Sequence, residues 1–122
     1  MKTLITSALP YANGQIHIGH LIEYIQTDVY SRFMKLTGED AIYMCASDMH
    51  GTPIEVNAQK HGMKPLEFAN SNHKKNLEVF KKFLVDFDNF YKTHSKENEE
   101  LSNYFFNTLK KNGHIYKKKI KV

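Results

Sequence analysis

Near its start the chain runs twice through the same order: a short apolar segment, a polar loop, then a helix-start signal. No other feature limits the fold so strongly. Residues 2–8 read as a buried strand, residues 9–15 as a loop marked by Pro10 and Asn13-Gly14, and a helix begins near His17. Ile18, Leu21, Ile22, Ile25, Val29 and Leu36 recur at helical spacing, and Gly38 suits the stop. Asp40 to Ala46 then reads as a second buried strand, too short for an ordinary helix. It leads through Ser47–Gly51 to Thr52-Pro53-Ile54-Glu55, where Thr52 fits an N-cap, Pro53 the first helical position and Glu55 a capping box.

The rest of the chain keeps the alternation. Gly62 ends the second helix. Pro65 opens a third, with Leu66, Ala69, Leu77, Phe80 and Leu84 as a broken inner stripe. Phe87 to Tyr91 reads as a short strand. Ser95 caps a fourth helix whose expected inner face is Leu101, Tyr104, Phe105, Thr108 and Leu109; Lys110 and Lys111 complement its dipole, and Gly113 ends it. Ile115 to Val122 alternates like a final strand. Strands alternating with helices imply an α/β fold with a parallel sheet flanked by helices. Ligands of such sheets bind beyond the carboxyl ends of the strands. The loops 9–17 and 47–52 both follow strands, so they are expected to converge at that edge.

Composition excludes several classes. A chain of 122 residues with 41% hydrophobic and 25% charged residues can build a core and is not disordered by composition. The opening Met-Lys-Thr-Leu-Ile is broken by Thr, Ser and then Pro10, so it reads as a strand rather than a signal peptide, and no apolar run is long enough to span a membrane. Cys45 is the single cysteine, which forbids an internal disulfide and fits a reducing cytoplasm. The net charge of +4 permits an RNA or phosphate ligand without demanding one; Lys117, Lys118, Lys119 and Lys121 read as a solvated charge run. There is no internal repeat or interdomain linker.

Two loops carry the chemistry. In Ala-Leu-Pro-Tyr-Ala-Asn-Gly-Gln-Ile-His-Ile-Gly-His, residues 8–20, the imidazoles of His17 and His20 fall on one side of a helix N-terminus. Gly19 between them leaves room for a flat ligand. Exposed N–H groups and the positive dipole end favour phosphate there, and two histidine donors can stabilise charge developing on phosphorus. An isolated His-x-x-His is more often structural; the Pro, Asn-Gly and Gly around this one tip the reading toward a phosphate loop. In Cys-Ala-Ser-Asp-Met-His-Gly-Thr-Pro-Ile, residues 45–54, Asp48 can pair with a ligand ammonium or cap its own turn.

His17-Ile18-Gly19-His20 resembles the histidine motif of the class I aminoacyl-tRNA synthetases. Ala-Leu-Pro-Tyr-Ala-Asn-Gly before it, His-Gly-Thr-Pro-Ile at 50–54 and Thr-His-Ser-Lys-Glu-Asn at 93–98 resemble the methionine-specific branch of that family, in order along the chain. The resemblance implies the first half of a Rossmann-like nucleotide-binding fold. It also implies catalytic roles for His17 and His20, ATP contacts from Pro10, Asn13, Gly14, His17, Gly19, His20 and Glu23, and methionine contacts from Ala8, Leu9, Tyr11 and Asp48. Gly19 would pack against adenine, the Leu9 carbonyl would lie near the methionine amino group, Asp48 would receive its ammonium, and Glu23 would reach the ribose. Ser47 departs from the second Asp common in bacterial relatives. The implied activity is ATP-dependent formation of methionyl-adenylate and transfer to tRNA(Met), with ATP arriving as its Mg²⁺ complex, in the cytoplasm.

The resemblance also implies parts that are not found here. Residues 1–122 correspond to the N-terminal part of the catalytic domain. The second half with its lysine loop, the zinc-bearing insertion and the anticodon-binding domain are absent, so zinc is expected only in that insertion and no metal site in this chain. Lys92-Thr93-His94-Ser95-Lys96 has the wrong spacing for the lysine loop; Ser95 is expected as a cap and Lys96 on the surface. A second polypeptide carrying the missing half is one expectation, and a remnant or fragment another. Competing functions are a nucleotidyltransferase of the same superfamily and a non-catalytic nucleotide-binding remnant. A zincin-type hydrolase needs histidines four apart with an intervening Glu, which His17 and His20 do not offer.

Overall fold

The computed structural model describes residues 1–119. The elements are β1 (Thr3–Thr6), α1 (Ile18–Leu36), β2 (Ala41–Ser47), α2 (Thr52–Lys60), α3 (Pro65–Lys82), β3 (Asn89–Lys92) and α4 (Lys96–Lys111). The strands form one parallel sheet in the order β1-β2-β3, with Ile5 opposite Tyr43 and Cys45 opposite Phe90. This is the α/β architecture that the alternation implies. β1 is shorter than expected, and β3 starts later because Phe87 turns into the core rather than joining the ladder. The strand expected at 115–122 is not formed at 115–119, which are exposed and irregular; residues 120–122 lie outside the described residues.

Helix boundaries follow local chemistry. His17 is the N-cap of α1, and Thr37 with Gly38 at φ +85° closes it. Ser95 caps α4 by accepting the Asn98 N–H at 3.2 Å, and Lys96 is surface-exposed, as expected. The capping box expected at Thr52–Glu55 does not form. Gly51 is the N-cap of α2 and makes no side-chain capping bond. Its φ of +123° turns the chain one residue early, so Thr52 is already helical.

The buried faces differ from the expected apolar stripes. On α1 the buried residues are Leu21, Tyr24, Asp28 and Ser31, whereas Ile18, Ile22, Ile25, Val29 and Leu36 remain exposed. Asp28 can be buried because its carboxylate is satisfied: Arg32 Nε donates to it at 2.6 Å and the Asp86 N–H at 2.8 Å. On α3 the inner face is Phe68, Ala69, Asn72, Asn76 and Phe80; Leu66 and Leu84 are exposed and Leu77 is half-buried. No residue of α4 is buried, so its expected inner face has no cover among the described residues.

Two clusters make the core. One joins the sheet to α1 and α3 through Ile5, Leu21, Tyr24, Tyr43, Cys45 and Phe80. The other packs α2 and α3 under the two loops through Ala12, Met49, Ile54, Ala58, Phe68 and Ala69. Phe80 is the hub of the first, with ring centroids 4.8 Å from Tyr24, 5.1 Å from Phe87 and 5.3 Å from Phe90 in edge-to-face arrangements. Burial pushes the Tyr43 phenol up to about 12, so it stays neutral beside Ser7 Oγ, 3.0 Å away. Phe80→Ala should lower the unfolding free energy by about 3–5 kcal/mol in a denaturant titration, against about 0.5 kcal/mol or less for exposed Leu66→Ala. Equal losses would contradict this assignment of the core.

Candidate functional site

The two loops meet through backbone, not side chains. Beyond the last paired residues of β1 and β2, Tyr11 and Asp48 form an isolated parallel bridge. The Asp48 N–H donates to the Pro10 carbonyl at 2.9 Å, and the Ala12 N–H donates to the Asp48 carbonyl at 2.8 Å. The β3–α4 loop is fastened beside them. Thr93 N–H donates to Ser47 O at 3.0 Å, and Thr93 Oγ1 accepts the Met49 N–H at 2.9 Å. Three polar loops therefore share the carboxyl edge of the sheet, where such sheets bind ligands.

At the head of α1 the two histidines bind each other's backbone. His17 Nδ1 accepts the Gly19 N–H and His20 Nδ1 accepts the His17 N–H, both at 3.2 Å. An Nδ1 that accepts cannot carry the proton, so each neutral ring holds it on Nε2, the outer nitrogen. The rings lie with centroids 3.8 Å apart, tilted by 35°, and both residues are exposed. Two N–H donors thus stand side by side at the positive end of a 19-residue helix. Gly19 lies under the His17 ring: a Cβ there would sit 3.1 Å from His17 Cε1 and Nδ1. A side chain at 19 would press on the imidazole itself.

The other expected residues gather around this point with different partners. Ala8 and Leu9 are exposed, Pro10 is buried, and Tyr11 and Asp48 are half-buried. Glu23 Oε1 accepts the Ala8 N–H at 2.5 Å, and Tyr24 Oη donates to the Ala8 carbonyl at 2.9 Å, so α1 holds both backbone polar groups of one residue. Burial raises the Tyr24 phenol well above its ordinary value, which keeps that donor protonated. Asn13 Oδ1 accepts from Asn57 Nδ2 at 2.9 Å, whereas Gly14 stands clear of other atoms. Among the described residues, the Asp48 side chain takes only a long 3.5 Å contact from the His50 N–H, which leaves its carboxylate available to a cation.

Several site-shaping residues carried no readable motif. Asn57, Asn72 and Asn76 bond the first loop from α2 and α3; the signal for the last two was polar residues at four-residue spacing between Phe68 and Phe80. Ser47 is fully buried and its Oγ lies 2.9 Å from His73 Nδ1. Burial, and then the charge of Lys92, lower the His73 pKa, so that ring is neutral near pH 7. A cleft of about 630 Å³ lies against His50, Thr93, His94, Ser95 and Lys96, and neither His17 nor His20 lines it. Among the described residues no three His, Cys, Asp or Glu side chains converge as a metal site.

Gly51 ties the second loop to Tyr11. A Cβ at Gly51 would lie 2.7 Å from Tyr11 Oη at a backbone φ of +123°, which other residues rarely adopt. Gly51→Ala should cost about 1–3 kcal/mol of stability. Part of that loss comes from the clash with the hydroxyl, so the cost should shrink by about 0.5 kcal/mol or more in a Tyr11→Phe background. Strict additivity in a double-mutant cycle would show that the ring does not sit over Gly51.

Comparison with known proteins identifies the family. Residues 3–122 match the family model described as tRNA synthetases class I (M). The chain is 49% identical over 119 residues to a methionine–tRNA ligase of Myxococcus xanthus (strain DK1622), covering 98% of this chain and 17% of that protein. The crystal structure of Mycobacterium tuberculosis methionyl-tRNA synthetase bound by methionyl-adenylate superposes with a TM-score of 0.89 at 26% identity, over 93% of this chain and 22% of that one. The LeuRS of Agrobacterium radiobacter K84, in a ternary complex with tRNA and LeuAMS, superposes with a TM-score of 0.87 at 25% identity, over 94% of this chain and 15% of that one. The chain therefore spans about a sixth of the length of its curated relative.

Proposed function

The chain belongs to the class I (M) tRNA synthetases, and on that premise we propose that residues 1–122 form the N-terminal, ATP- and methionine-binding part of the catalytic domain of a methionine–tRNA ligase. The observation that carries the reading is the backbone pairing of Pro10 and Ala12 with Asp48, which brings a free carboxylate to the loop that leads into the two histidines. One end of that arrangement suits an ammonium, the other a phosphate.

In the proposed reaction a methionine carboxylate oxygen attacks the α-phosphorus of ATP. The new O–P bond forms as the bond to the β-phosphate bridging oxygen breaks, and pyrophosphate leaves. His17 and His20 donate from Nε2 to phosphate oxygens as charge builds on them. Asp48 accepts the methionine ammonium, together with the Leu9 carbonyl; Ala8 and Tyr11 bound the amino-acid pocket. Pro10, Asn13 and Gly14 line the ATP side, and Gly19 offers bare backbone to adenine. Glu23 already holds the Ala8 N–H through Oε1, so its second oxygen is the one proposed for the ribose. Mg²⁺ would arrive with ATP as the counter-ion of its phosphates, and no step is assigned to it.

The activated methionine is then passed to the terminal ribose of tRNA(Met), in the cytoplasm. That step is proposed to need polypeptide beyond these residues, including a lysine loop opposite the histidines and an anticodon-binding domain; zinc belongs to an insertion outside this chain. Ile18, Ile22, Val29 and Leu36 on α1, and Leu101, Tyr104 and Phe105 on α4, are more than half exposed. Apolar helix faces of this kind suit burial against further protein, either in the same chain or in a second polypeptide.

A chimera tests the reading. This chain replaces the corresponding residues of the Myxococcus xanthus ligase, and methionine-dependent pyrophosphate exchange is measured. The chimera should be active, while residues 1–122 alone should not charge tRNA. His20→Ala should lower the exchange rate by about 10²–10³ at saturating substrates. Asp48→Asn should weaken methionine binding by roughly 1.5–3 kcal/mol and ATP binding less. A folded chimera without exchange activity, or equal losses for both ligands on Asp48→Asn, would overturn the assignment.

A further inference from the structure

We propose that Asn72 and Asn76 are positioning residues that set the phosphate loop, each through the opposite half of its carboxamide. They lie one turn apart on α3 and are 5% and 0% exposed. Asn72 Nδ2 donates to the Ala12 carbonyl and to the Phe68 carbonyl, both at 3.2 Å. Asn76 Oδ1 accepts the Ile16 N–H at 3.2 Å. The partners dictate these orientations, because a carbonyl can only accept and a backbone N–H can only donate. One turn of a rigid helix thus holds both ends of the Ala12–Ile16 segment.

The second of these bonds lies directly upstream of the histidine pair. Ile16 precedes His17, whose N–H is taken by His20 Nδ1 and whose Nδ1 takes the Gly19 N–H. The consecutive N–H groups of Ile16 and His17 are thus held, one by α3 and the next by the His20 imidazole, so a shift of Ile16 passes through the peptide bond to both rings. Without Asn76 the Ile16 N–H would lose its partner at the entry to α1, and the N-cap would be free to shift. Asn76 Nδ2 is buried with no partner among the described residues. A leucine in that stripe, between Phe68 and Phe80, would avoid an unsatisfied donor. The amide stands where an apolar side chain would pack without that cost, and the oxygen is the only half it uses.

The consequence for catalysis rests on the proposed role of His17 and His20; the positioning itself does not. The test uses Asn76→Leu, Asn76→Asp and Asn72→Leu in the 122-residue chain, with amide hydrogen exchange and histidine ring signals read by NMR. Asn76→Leu should leave the unfolding midpoint at or above its native value, yet speed exchange of the Ile16 amide by about tenfold or more and shift both ring signals. Asn76→Asp keeps the acceptor and should restore native Ile16 protection and ring shifts. Asn72→Leu should disturb the Ala12 end of the loop, read as displaced Ala12 and Asn13 amide signals. In the chimera, Asn76→Leu should lower the exchange turnover by about tenfold to a hundredfold with the methionine KM little changed, and Asn76→Asp should recover it. Native Ile16 protection and ring shifts in Asn76→Leu would overturn the inference, as would failure of a folded Asn76→Asp chain to restore them. A native chimera without activity would instead count against the proposed function, while the exchange data would still judge the positioning.

Discussion

Two backbone hydrogen bonds hold the site together. The Asp48 N–H to the Pro10 carbonyl and the Ala12 N–H to the Asp48 carbonyl continue the β1–β2 pairing past the end of the regular ladder. A parallel ladder places corresponding strand ends at the same edge, but it does not say where the loops go afterwards. These bonds do. They fix the Asp48 backbone against the loop that leads to His17, and the buried cluster of Ala12, Met49, Ile54 and Phe68 beneath them excludes the water that would compete for them. Backbone geometry set this way does not depend on which side chains the loop carries.

The sequence made the architecture legible because caps and punctuation are local. His17 before an apolar period, Gly38 and Gly62 at helix ends, and Ser95 ahead of α4 all act through bonds within a few residues, and each is found in its expected place. The histidine pair at the head of α1 is local in the same way, since His17 and His20 bond backbone within three residues; Asp48 was singled out by family resemblance, and its pairing with Pro10 and Ala12 is long-range. The misreadings have another source. Helical periodicity says that a face is apolar, not what it faces. On α1 the chain buries Tyr24 and a satisfied Asp28 toward the sheet and leaves Ile22 and Val29 outside. Thr52 looked like a cap because its side chain suits one, but the positive φ of Gly51 started the helix a residue sooner. The asparagines of α3 were invisible as site residues, since their partners are backbone groups 60 residues away.

The same exposed faces bear on how the site works. The sheet buries one side, through Ile5, Tyr43 and Cys45, while Leu4, Met44 and Tyr91 on the alternate positions are exposed. α1, whose head carries the histidines, also leaves Ile18 and Ile22 exposed. Protein covering them would also exclude water from the ligand and strengthen the donors at the helix head, since the same charges interact more strongly at lower dielectric. Among the described residues the loops are clamped from α1, α2 and α3.

The central claim is that one ligand meets both loops at once. It is tested most directly by titrating ¹⁵N-labelled chain with a non-hydrolysable methionyl-adenylate analogue and following backbone amides. Residues 8–20 and 47–52 should shift together along one binding curve, with Asp48 and His20 reporting the same affinity, and an adenosine analogue without the amino acid should move the first loop alone. Shifts confined to one loop, two unrelated curves, or no response at millimolar analogue would contradict a single site built from both.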